Sequence, residues 1–150
     1  MAVVPIHVQN SVNNLGGHNP RIFAAKWLTD SDCKRRQNRL MLLAMHVSNY
    51  IIPQLTEEEK ESADLPRGIN LNRHPNQRNR GLPVDLYTID DLVIYRTFLI
   101  RRATKGTVLK GNGWKRVVKA RNLRRGDHVR LWSFRRIDND KLCLLIEKLE

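Results

Sequence analysis

Two short stretches of this chain carry side chains suited to reading the edges of nucleotide bases. They are Lys34-Arg35-Arg36-Gln37-Asn38-Arg39 and Arg101-Arg102-Ala103-Thr104-Lys105, each set between apolar runs that read as strands. A guanidinium can donate two parallel hydrogen bonds to one guanine, and the amide of Asn or Gln can pair with adenine. Neighbouring Lys and hydroxyl side chains hold phosphates and set register. The candidate contact set is therefore Lys26, Ser31, Lys34, Arg35, Arg36, Gln37, Asn38, Arg39, Arg101, Arg102, Thr104, Lys105 and Lys110. The bland alternative is a pair of solvated loops with no partner.

Charge separates the two readings. The window from Arg101 to Arg136 holds 13 Lys and Arg residues and one carboxylate, Asp127, for a formal charge of +12. The whole chain is also +12, so everything outside the window sums to zero. Positive charge gathered on a segment that also looks folded is the footprint of a polyanion binder, with nucleic acid the first candidate.

Other classes of function find little support. No phosphate-binding glycine loop, paired metal ligands or nucleophile elbow is present, so no catalysis and no cofactor are expected. Gly111-Asn112-Gly113 resembles a phosphate loop only superficially. The histidines are scattered, and Cys33 and Cys143 lie too far apart in sequence to read as a disulfide framework. No apolar stretch reaches the length of a spanning helix, and neither membrane attachment nor a small-molecule substrate is expected.

The elements that must position the two loops follow from periodicity and turn residues. Residues 1–20 are rich in Asn and Gly and read as a flexible arm, so the folded domain is expected over 21–150. Strands are predicted at 23–28, 39–43, 82–88, 92–100, 107–109, 128–134 and 141–146. Helices are predicted at 44–52, ended by Pro53, and from Trp114 to Arg121, where Trp114, Val117 and Val118 share a face. The acidic and then Asn/Arg-rich stretch 56–80 reads as an exposed insertion. Trp114 and Trp132 are expected in the core, and Gly126-Asp127 as a turn device. Lys115, Arg116, Lys119, Arg121, Arg124 and Arg125 form either a solvated face or a source of non-specific phosphate attraction. About seven short strands and two helices predict a mainly β protein, a compact barrel or sandwich.

A family resemblance sharpens this. Phe23-x-x-Lys26-x-Leu28-Thr29-x-Ser31-Asp32 followed by Asn38-Arg39-Leu40 resembles the opening of the plant B3 DNA-binding domain. The stretch Val108-Leu109, Gly113-Trp114, Val117-Val118, Leu123, Gly126-Asp127, Val129, Leu131-Trp132 and Phe134 is similar to that family's closing run, in the family's order. Departures mark a divergent branch: Cys33 and Lys34 follow Ser31-Asp32 where a small residue and a glycine are common.

The resemblance implies a seven-stranded open β-barrel, the B3-type pseudobarrel, with two short α-helices. It implies an N-arm over Ser31–Arg39 and a C-arm over Ile100–Thr107 that grip the major groove of double-stranded DNA. It further implies a nuclear plant transcription regulator, with other transcription regulators as a second class of partner. The alternative is a protein-interaction module on the same barrel, with only non-specific affinity for DNA.

Overall fold

Seven strands form one curled sheet in the computed structural model, which describes residues 3–34, 36–66, 80–89, 91–102 and 106–149. They are β1 (Gly17–Trp27), β2 (Arg39–Met41), β3 (Leu82–Thr88), β4 (Tyr95–Arg102), β5 (Gly106–Lys110), β6 (His128–Arg136) and β7 (Leu142–Leu149). Their order is β1-β6-β7-β3-β4-β5-β2. Every pairing is antiparallel except that of β3 with β7, which runs parallel from Asp85↔Cys143 to Thr88↔Ile146 and welds the two antiparallel halves together. Register shifts in β1, between His18 and Arg21 and again between Ile22 and Ala24, bend this edge strand around the barrel. The expected seven-stranded open barrel is what the chain builds.

The strand sequences show why the sheet is buried on both sides. Along β7 the apolar run is continuous rather than alternating. Leu142, Leu144 and Ile146 point into the barrel with Phe23, Leu40, Leu86, Leu99, Leu109, Trp114 and Leu131. Cys143 and Leu145 point outward and join Tyr87, Trp132 and Phe134 in a second cluster. A strand reads this way only if something covers its outer face.

The cover is α1 (Ile6–Asn14), which buries Val8 and Val12 completely against that second cluster. Residues 6–14 therefore depart from the flexible arm predicted for 1–20. Asn10, Asn13 and Asn14 are poor helix formers, so the helix owes its existence to burial of one stripe rather than to propensity.

The remaining helices cap the barrel. They are α2 (Asp30–Cys33), α3 (Ala44–His46), a π-helical turn Val47–Ile51 leading into α4 (Ile52–Gln54), α5 (Glu57–Ser62) and α6 (Asn112–Ala120). Pro53 sits in the first turn of α4 and the helical run ends one residue later, close to the expected stop.

Part of the predicted insertion is structural. In α5, Thr56 and Glu59 form a reciprocal capping box, and Glu59 pairs with Arg135 of β6 at 2.6 Å. Ala63 and Leu65 join the main core, and the Ala63 carbonyl accepts from the amide of Arg101. The first part of 56–80 is thus packed on the barrel, and residues 67–79 lie outside the described ones.

Candidate nucleic-acid interface

The base of the first basic loop is organised by one carboxylate. Thr29 caps α2, its hydroxyl accepting from the amide of Asp32 while the Asp32 carboxylate accepts from Thr29 N at 2.9 Å. The same carboxylate accepts from Met41 N at 3.1 Å and from Lys26 Nζ at 3.0 Å. Lys26 Nζ also donates to the Met41 carbonyl at 2.6 Å. The indole N–H of Trp114 reaches the Asp32 carbonyl at 2.8 Å. Lys26 lies near the end of β1 and Met41 on β2, the two edge strands, so this cluster draws the open edges of the barrel together.

That geometry gives Lys26 a place different from the other candidates. Its side chain is 9 % exposed and that of Asp32 0 % exposed, so its ammonium is turned inward and compensated. The sequence grouped Lys26 with the phosphate holders because Lys is seldom buried. Asp32, which sequence reading treated only as a motif residue, is the hub.

Beyond Asp32 the chain turns back. Gln37 N donates to Lys34 O, Asn38 adopts φ 47°, and Asn38 O accepts from Gly111 N at 2.9 Å. Lys34, Arg36 and Gln37 are left exposed at the tip, and Ser31, Asn38 and Arg39 are half-buried. Arg35 lies outside the described residues.

The second loop is the β4–β5 hairpin. Arg101↔Thr107 and Arg102↔Gly106 are its last described pairs, and Thr104 and Lys105 lie outside the described residues. Arg101 Nε donates to Asp64 O at 2.8 Å, so this side chain leans on the turn after α5. Arg102 is exposed.

The two loops meet because β5 lies between β2 and β4. Arg39↔Lys110 and Lys110↔Phe98 are direct cross-strand pairs, so Arg39, Lys110 and Phe98 form a row on one face. Gln37, Arg39, Arg102, Val108 and Lys110 together line one cavity of ≈ 310 Å³. The Lys110 ammonium is held below its ordinary range, first by burial and then by Arg102.

Elsewhere several cations are matched. Arg135 meets Glu59, Lys141 and Arg136 meet Asp85, Lys148 meets Asp127 and Arg125 meets Asp30. Among the described residues no carboxylate pairs with Lys34, Arg36, Arg39, Arg102 or Lys110. Among the described residues, cations without a carboxylate partner therefore stand on and beside the two loops and on α6, as well as at Arg21 of β1 and Arg96 of β4.

Several motif residues serve the frame. A Cβ on Gly113 would lie 2.1 Å from the Arg96 carbonyl oxygen, so only glycine lets the first turn of α6 press against β4. Trp114 then reaches the core and Asp32. The Asp127 carboxylate accepts from Arg124 N at 2.8 Å and closes the turn before β6. Trp27 ends β1 just before the first loop, is 66 % exposed and stacks on His128 with ring centroids 4.2 Å apart. Its position in an apolar run hid that exposure.

A family model described as "B3 domain-containing protein At2g31720-like" matches residues 4–149. The chain belongs to the B3 domain family. Among curated relatives it is 26 % identical over 149 residues to "B3 domain-containing protein At1g05920" of Arabidopsis thaliana, covering 94 % of this chain. The chain spans 43 % of that relative's length.

Two solved structures share the B3 fold with it. One is the Arabidopsis FUS3–DNA complex, with TM-score 0.52 and 16 % identity over 87 % of this chain and 100 % of that one. The other is the Arabidopsis thaliana transcription factor LEC2–DNA complex, with TM-score 0.52 and 14 % identity over 88 % of this chain and 97 % of that one.

Proposed function

We propose that this B3 domain binds double-stranded DNA sequence-specifically, as part of a nuclear plant transcription regulator. The N-arm and C-arm enter the major groove. Arg36, Gln37, Asn38 and Arg102 read base edges, while Lys34, Arg39 and Lys110 neutralise phosphates. The observation that carries this reading is the pairing of β2, β5 and β4, which brings Arg39, Lys110 and Arg102 around one cavity. Membership of the B3 family and the DNA-bound state of the two structural neighbours support it.

The test is repeated selection of the purified chain on a random duplex library at near-physiological salt. A single enriched motif is expected. Arg36→Ala and Arg102→Ala should each weaken binding to that motif by about 1–3 kcal/mol, with a smaller effect on scrambled duplex. Equal losses on selected and scrambled duplex would remove the base-reading role. Recovery without enrichment would leave charge-driven binding.

A further inference from the structure

Behind the N-arm, between α2 and α6, lies an open cavity of ≈ 540 Å³ that the DNA reading does not use. Cys33, Trp114 and Val118 contribute its apolar side, and Cys33 and Val118 are partly buried residues packed on the main core. Burial, followed by the charge of Asp32, raises the Cys33 thiol above its ordinary range, so this side stays uncharged at neutral pH. Lys34, Lys115, Arg116 and Lys119 line the remainder. None of these cations pairs with a carboxylate among the described residues, and the Asp32 carboxylate is already held by Lys26.

Size and chemistry restrict the occupant. The volume falls in the range of ligand sites, roughly 300–1,000 Å³. Lys115 and Lys119 stand one helical turn apart, about 6 Å along α6, with Lys34 across the opening. Cations spread in this way exceed what one small carboxylate can neutralise. A duplex presents phosphates but no flexible apolar group to enter a concavity, whereas a peptide presents both acidic and apolar side chains.

We propose that this groove docks an acidic peptide segment of a partner protein, one large apolar side chain resting on the partly buried Val118 and Cys33 and its carboxylates meeting Lys34, Lys115, Arg116 and Lys119. Lys34 and Asn38 belong both to this groove and to the N-arm, so the peptide and DNA are coupled through shared residues.

The probe is a short fluorescein-labelled peptide of Asp and Glu carrying one Phe and one Leu, followed by anisotropy. A matched peptide has Ser in place of Phe and Leu. The apolar version should bind at least about tenfold tighter than the Ser version, the effect of burying one such side chain. The double variant Lys115→Glu/Lys119→Glu should weaken the apolar peptide by roughly tenfold, with thermal melting confirming that it stays folded. Equal binding of the two peptides, or an unchanged affinity in a folded double variant, overturns the proposal. So does a double variant that loses duplex affinity while neither peptide discriminates, because the cations then serve phosphates. Duplex binding by the unmodified chain is read alongside, so failure of the DNA reading and failure of this one are separate results.

Discussion

Asp32 shows how much can rest on one buried side chain. Four donors converge on its carboxylate or cap it, namely Thr29 N, Thr29 Oγ1, Met41 N and Lys26 Nζ, and a fifth, Trp114 Nε1, reaches its carbonyl. Removing the carboxylate strands a buried ammonium, and breaking such a pair costs about 3–5 kcal/mol. Asp32→Ala should lower stability by that amount in denaturant unfolding and weaken DNA binding through the loosened N-arm. Lys26→Met/Asp32→Leu, which removes both charges, should recover most of the stability. Cys143 gives a second check at this scale. Burial, the largest cause, pushes its thiol up to about 11. Alkylation at neutral pH should therefore be slow in the folded protein and fast once denaturant unfolds it; rapid native alkylation would contradict the packing of α1 over β7.

Elements meet where side chains are either absent or matched. The contact of α6 with β4 needs Gly113, and a methyl group there collides with backbone rather than with a movable side chain. Gly113→Ala should destabilise by about 1–3 kcal/mol or more, read as a fall in melting temperature. The contact of α5 with β6 is electrostatic. Burial raises the Glu59 carboxyl, but hydrogen bonds from Arg135 and from the Thr56 amide, with the Arg135 charge, outweigh it and hold the group below the ordinary glutamate range. Its unfolded value is the ordinary one, so the contribution is complete above that value and is lost as pH falls through the folded value. Glu59→Gln should lower stability at neutral pH and flatten the acid limb of the stability–pH curve. An unchanged acid limb would show that the α5–β6 pair contributes nothing.

At the scale of the molecule, the described cations without a carboxylate partner include Arg39, Arg102 and Lys110 around one cavity and Lys115, Arg116 and Lys119 on α6. Duplex affinity should fall linearly with log salt, with a slope of about −0.9 per phosphate neutralised. Lys110→Ala should flatten that slope by about one unit and weaken selected and scrambled duplexes alike. A slope unchanged by Lys110→Ala would place this side chain away from the backbone. By itself, the sequence determined the features that depend on neighbours along the chain. The apolar and β-branched runs predicted the strands, the clustered Lys and Arg residues singled out the two basic loops, and Gly113-Trp114 with Gly126-Asp127 carried the family resemblance. Only the tertiary structure decided which strands pair and what covers them. The parallel join of β3 to β7 links residues about sixty apart, and no local pattern encodes it. The asparagine-rich start became α1 because the outer faces of β3, β6 and β7 needed cover. Lys26 left the cationic surface because folding brought Asp32 and the Met41 carbonyl to its ammonium. In each case a free energy of burial, which depends on what arrives from elsewhere in the chain, outweighed the local preference of the residue.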